Sequence, residues 1–298
     1  MDKNIPKISL NKLLDNDDDS ISLLSNALSN HGFFVITNHG ISHELFNLAY
    51  EYSEKFFNLS DEIKNSYSFR ESAGARGYTP FGKETALGET VPDLKEFWHH
   101  GPIIDESFDS RIMENITVNE IKNFNNVFDT LFDEMNNLGM KLLSSIALTL
   151  ELSEDFFNKS TEKGNSLLRL IHYPPSNNSN MYRAREHADI NLITLLIGAN
   201  EPGLEVKDKS DNWIPVSSSY EDIVCNIGDM MQLVTRDQLK STTHRVMDYQ
   251  EKNPKSRYSI PFFLHPSPNV TLESIVDDSP ESISAHDFLE ERIRAIGL

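Results

Sequence analysis

The chain has 298 residues, 38% hydrophobic and 24% charged, which suits a soluble globular protein with a sizeable core. Its 27 lysines and arginines face 46 aspartates and glutamates, a net charge of −19, so its surface repels phosphate backbones and anionic lipid headgroups. Nucleic-acid and membrane partners are therefore not expected. No stretch approaches the roughly 20 apolar residues of a membrane span, and the amino terminus lacks the basic start and apolar run of a secretion signal. The expected location is the cytoplasm. Cys225 is the single cysteine, read as a buried core thiol within DIVCNIG, and it permits no internal disulfide.

In chain order, the acidic DNDDDS at 15–20 reads as a turn and N-cap before a helix over ISLLSNALSNHG, closed by Gly32. GFFVIT at 32–37 reads as a short buried strand, and a second helix is expected from Ser42 to about Lys64. After a Gly-rich loop, residues 118–150 carry a long helical pattern with Gly139 as its expected break point. From about residue 165 the texture changes to short β-rich runs: LLRLIHY, INLITLLIG, GLEVKD, WIPV, DIVCNIG, MMQLVT, HRVM and YSIPFFL. Turn-forming segments separate them, as in an antiparallel sheet that closes into a barrel or jelly roll. AHDFLEERIRAIGL reads as a terminal helix. With no repeat and no long linker, residues 1–298 form one expected domain: a mainly helical region over 1–160, a β core over 165–268 and a helix over 284–298.

His187 and Asp189 stand two positions apart before an apolar run, and in a strand residues i and i+2 face the same way. His244, which starts a later β-patterned run, is the best third ligand. Two histidines and one carboxylate on one face of a metal leave positions open, as in non-haem Fe(II) oxygenases. Further on, Arg257 and Ser259 again share a strand face; the guanidinium fork pairs with a carboxylate at two points and the hydroxyl adds a hydrogen bond. Tyr173, at the end of LRLIHYPP, can donate its phenol to the same group.

With these residues in place the sequence resembles the Fe(II)/2-oxoglutarate-dependent oxygenases, specifically their isopenicillin-N-synthase-like branch. HGFFVITNHGI at 31–41 is similar to the family's N-terminal region, and RGYTPFGKE at 76–84 with DLKEFWHHG at 93–101 to its pre-core loop. LRLIHYPP, His187-Ala188-Asp189, His244 in THRV and Arg257-Tyr258-Ser259 follow in the family's order. The resemblance implies a double-stranded β-helix (jelly roll) with flanking helices, mostly β overall. It implies iron bound by His187, Asp189 and His244, and 2-oxoglutarate bound by Arg257, Ser259 and Tyr173. O₂ and 2-oxoglutarate would be consumed to give succinate and CO₂ while a small molecule is hydroxylated, desaturated or cyclised, with ascorbate as a reductant. Arg76, His99, Arg185 and Phe263 are weaker candidates for the substrate pocket. Three other readings stay open: an iron oxidase of the isopenicillin N synthase type that uses no 2-oxoglutarate, a non-catalytic binding module, and a zinc hydrolase.

Overall fold

Local chemistry at the amino terminus sets the first elements. In the computed structural model, which describes residues 4–69, 74–85, 92–175, 182–198, 203–248, 255–277 and 282–295, these are β1 (Lys7–Ser9), α1 (Leu10–Leu14), α2 (Asp18–Asn30) and β2 (Phe33–Thr37). Asp17 caps α2, its carboxylate accepting from the Ser20 amide at 2.9 Å. Gly32 ends that helix at φ +63°, donating its N–H to the Ala27 carbonyl at 3.1 Å.

The helix expected over 42–64 is two helices, α3 (His43–Phe57) and α4 (Asp61–Ser66), because Ser60 opens a new one, its hydroxyl accepting from the Ile63 amide at 3.4 Å. Strands β3 (Gly77–Thr79) and β4 (Glu96–His100) follow, and all five side chains of β4 are buried. The long helical pattern becomes α5 (Phe124–Thr149), unbroken at Gly139. A Cβ on Gly139 would lie 2.4 Å from Cδ1 of Leu264, so this glycine permits close helix–sheet approach instead of a break.

Short α6 (Asn158–Thr161) leads into β5 (Leu167–Tyr173), β6 (Tyr182–His187), β7 (Ile193–Ile197), β8 (Leu204–Lys207), β9 (Trp213–Pro215) and β10 (Ile223–Ile227). MMQLVT, expected as a strand, lies instead in helix α7 (Asp229–Val234). So short an apolar run has no periodicity to separate the two states, and tertiary contacts decide: the Asp229 and Met230 amides donate to the Asp189 and Ile190 carbonyls at 2.7 and 3.1 Å. Then come β11 (His244–Met247), β12 (Arg257–Ser259), β13 (Pro261–Leu264), a ribbon of β14 (Thr271–Leu272) and β15 (Ile283–Ser284), and α8 (Ala285–Ala295). The last three residues of the expected terminal helix, 296–298, lie outside the described residues.

The major sheet runs β1-β2-β10-β7-β13-β5-β4-β3 with β12 beside β5, and the minor sheet runs β6-β11-β8-β9. Together they form the expected jelly roll, flanked by helices. Period two divides the major sheet's side chains between two environments. Leu168 and Leu170 of β5, Leu195 of β7, Cys225 of β10, and Phe262 and Leu264 of β13 are buried in the main core, and α5 packs on this sheet. Phe262 meets Phe132 of α5 edge-on at 5.2 Å. Each such side chain contributes about 1.5–3 kcal/mol by leaving water. The alternate residues, among them Arg169, Tyr173, Thr194, Asn226 and Phe263, line a cavity of about 320 Å³ whose other wall comes from the minor sheet. Among the described residues no helix is long and apolar enough to cross a membrane.

Candidate active site

Antiparallel pairing of β6 with β11 sets His187 opposite His244, with ring centroids 4.3 Å apart. Asp189 is not on the same strand as His187, as the i, i+2 argument expected, because β6 ends at His187 and the chain turns before β7. The turn still delivers the carboxylate: ligand atoms of His187, Asp189 and His244 lie within 4.8 Å of one another, the one such trio among the described residues.

Surrounding hydrogen bonds prepare each ligand. His187 Nδ1 bonds the Arg185 carbonyl at 2.7 Å, and His244 Nδ1 bonds the Thr242 carbonyl at 3.1 Å. A carbonyl only accepts, so each Nδ1 carries the proton and each Nε2 keeps a free lone pair. Asp189 Oδ2 accepts from Thr194 Oγ1 at 2.6 Å and from Asn226 Nδ2 at 2.7 Å. Its Oδ1 is left 3.8 Å from His244 Nε2. Burial, reinforced by the neighbouring His244, holds His187 neutral with its pKa pulled down to about 4. Burial opposes ionisation of Asp189, but the two histidines and the two donors outweigh it and hold the carboxyl below its usual range. Two lone-pair nitrogens and one oriented carboxylate oxygen suit Fe(II) and leave coordination positions open.

The turn bearing Asp189 is backed by Gly228, where a Cβ would lie 2.1 Å from the Asn191 carbonyl oxygen. Gly228→Ala is expected to force that turn aside, destabilising the fold by about 1–3 kcal/mol and weakening metal binding. Urea unfolding and metal titration check this; unchanged values in both would show that the turn yields freely.

Strand β12 lies antiparallel to β5, with Arg257 opposite Tyr173 and Ser259 opposite Ile171. Arg257 is buried, its guanidinium 5.4 Å from the Tyr173 ring centroid, and its Nε and Nη1 have no hydrogen-bond partner among the described residues. Unpaired buried donors cost roughly 1–3 kcal/mol each, and an incoming carboxylate would relieve that. Tyr173 and Ser259 line the cavity beside it.

Of the weaker sequence candidates, Arg76, His99 and Phe263 line the cavity, whereas Arg185 is not among the described residues that do. Arg185 instead bonds Asp93 at 3.4 Å and the Pro92 carbonyl at 3.2 Å. Arg76 donates to the Met113 and Ala75 carbonyls at 3.1 and 2.7 Å, and burial lowers its pKa to about 10. Sequence reasoning missed a buried ionic group on the same wall. Lys95 lies 2.6 Å from Glu84 and 3.0 Å from Asp93, and Arg169 lies 3.1 Å from Glu84. Arg169 did carry a signal, since it shares the period-two face of LRLIHYPP with Tyr173.

A tautomer-locked pair of histidines and an oriented carboxylate on the wall of a jelly-roll cavity define a non-haem Fe(II) oxygenase. Residues 5–119 match the family described as non-haem dioxygenase in morphine synthesis, N-terminal, and residues 164–266 match the 2OG-Fe(II) oxygenase superfamily. The chain belongs to that superfamily, in its isopenicillin-N-synthase-like branch, and is an Fe(II)/2-oxoglutarate-dependent dioxygenase. It is 32% identical to the proline hydroxylase buaE of Petromyces alliaceus over 84% of this chain and 82% of that one. Among solved structures it resembles a 2OG-Fe(II) oxygenase family protein from Caulobacter crescentus, with TM-score 0.89, 37% identity, and 98% and 99% of the two chains covered. It also resembles a full-length Neurospora crassa protein solved in complex with alpha-KG and thymine, with TM-score 0.85, 26% identity, and 98% and 96% covered. The oxidase reading without 2-oxoglutarate is not favoured.

Proposed function

We propose that His187, Asp189 and His244 bind the iron, and that Arg257 and Ser259, with the Tyr173 phenol, bind the far carboxylate of 2-oxoglutarate. When bound, iron and 2-oxoglutarate supply the oxidising power by O₂-dependent decarboxylation to succinate and CO₂. The chain's own part is to hold the ligands in one protonation state, fix the co-substrate, and exclude water with walls such as Phe33, Leu204 and Val246. The substrate is a small molecule that fits beside Arg76, His99 and Phe263, with Arg185 acting at one remove through Asp93. A cavity of about 320 Å³ supports that size class. Relatives whose names or complexes involve proline and thymine support hydroxylation of a small polar molecule, with desaturation and ring closure open to the same chemistry.

We place this activity in one catalytic domain spanning 1–298, acting in the cytoplasm without nucleic-acid or membrane partners. The net charge of −19 supports the last point. The observation that carries the co-substrate assignment is the pair of unpartnered, buried Arg257 nitrogens beside cavity-lining Tyr173 and Ser259. Anaerobic titration of the Fe(II)-loaded protein with 2-oxoglutarate is expected to develop a weak visible charge-transfer band. Bound iron with no band at saturating 2-oxoglutarate would overturn the assignment.

A further inference from the structure

Arg169 is one of the cations that line the cavity. Its guanidinium lies 4.3 Å from the Phe97 ring centroid and 5.4 Å from that of Phe263, so two aromatic faces fix its plane. Nε donates to His99 Nε2 at 2.6 Å, and Nη1 donates to Glu84 at 3.2 Å. His99 Nδ1 in turn donates to the Gly74 carbonyl, which leaves Nε2 as an acceptor. Burial, helped by the charge of Arg169, holds this histidine neutral. Among the described residues Nη2 makes no hydrogen bond, and Arg169 lines the cavity.

The position of this open edge suits a substrate. Phe263 pairs in register with Thr194, whose hydroxyl holds Asp189, so Arg169 stands one side-chain layer from the metal ligands. Arg169 and Tyr173 face the cavity four residues apart on β5, about 13 Å along the strand. The Arg169 end is therefore separate from Arg257, which lies opposite Tyr173, while Ser259, opposite Ile171, stands between the two. Lys95 and Arg76 line the same wall, but Lys95 is offset by Glu84 and Asp93, so the open edge of Arg169, not a net positive wall, is what would hold a carboxylate.

We propose that Arg169 anchors the substrate by a carboxylate, so that this oxygenase acts on small carboxylic acids held with their reactive carbon toward the metal. The proposal rests on the site assignments made above for iron and 2-oxoglutarate. His99 is then a positioning residue that aims Arg169, and Phe263 packs against the substrate and the guanidinium together.

Calorimetry on the full chain, loaded with Mn(II) and saturating 2-oxoglutarate, tests the proposal with two probe pairs: acetate against acetamide and benzoate against benzamide. At least one acid is expected to bind tenfold or more tightly than its amide. In the double variant Arg169→Met, Glu84→Gln, that preference is expected to fall below threefold while 2-oxoglutarate affinity stays within threefold. This variant removes one charge of each sign, so no carboxylate is left buried without a partner and the net charge of the wall is unchanged. The proposal is overturned if neither acid binds better than its amide, if the preference survives in the double variant, or if the acid binds only by displacing 2-oxoglutarate. Failure of 2-oxoglutarate itself to bind is seen before any probe is added and counts against Arg257, not Arg169.

Discussion

Alanine at Asp189 is expected to abolish metal binding and turnover together, each by more than 100-fold. Loss of a group that merely orients a ligand typically costs about 10–100-fold, and Asp189 is assigned as a ligand itself. Its removal also takes away the acceptor on which the Thr194 hydroxyl and Asn226 amide now converge. It further leaves two neutral imidazoles, 4.3 Å apart, as the remaining donors, with no negative charge to offset that of a divalent cation. Metal titration followed by succinate release checks both quantities. Tight iron binding in Asp189→Ala, or turnover within tenfold of the parent, would remove Asp189 from the ligand set.

The second large effect is at Arg257. Losing one partner of a buried charge pair costs about 2–5 kcal/mol, or roughly 30-fold to several-thousand-fold in affinity. Arg257→Ala is therefore expected to weaken 2-oxoglutarate binding within that range while leaving metal affinity within a few-fold. Arg257→Lys keeps the charge and loses the planar fork, so its affinity should fall between the two. Titration of the charge-transfer band measures all three proteins. Equal 2-oxoglutarate affinity in parent and Arg257→Ala would show that the far carboxylate is held elsewhere.

The ligands were more legible in the sequence than the geometry that unites them. His187 and His244 meet across a strand pair, as their places in two β-patterned runs suggested. Asp189 reaches them by a turn, because the apolar run after it begins pairing only at Ile193 and α7 holds the preceding carbonyls. Where a run is short, neighbours decide its state, which is why MMQLVT reads as a strand and folds in α7. Buried polar networks were the least visible. Glu96 lies in a strand whose five side chains are all buried, satisfied by Lys64 at 2.8 Å and His172 at 2.7 Å. Partners so distant in sequence leave no local periodicity. In the ionic group of Glu84, Asp93, Lys95 and Arg169 only the link from Glu84 to Arg169 spans such a distance, and Arg169 could have been found by counting back in twos from Tyr173.

The order of the major sheet has a consequence for how the chain holds together. Both of its ends, β1-β2 and β4-β3, come from the first hundred residues, and they border β10 on one side and β5 on the other. Reduced to the catalytic segment 164–266, the chain would keep every assigned ligand but present β10 and β5 as long, bare hydrogen-bonding edges, which are templates for aggregation. The amino-terminal region thus serves as edge insulation for the sheet. Because its strand 33–37 pairs with 223–227 across most of the chain, this insulation depends on contacts of high sequence separation, the kind that slow folding.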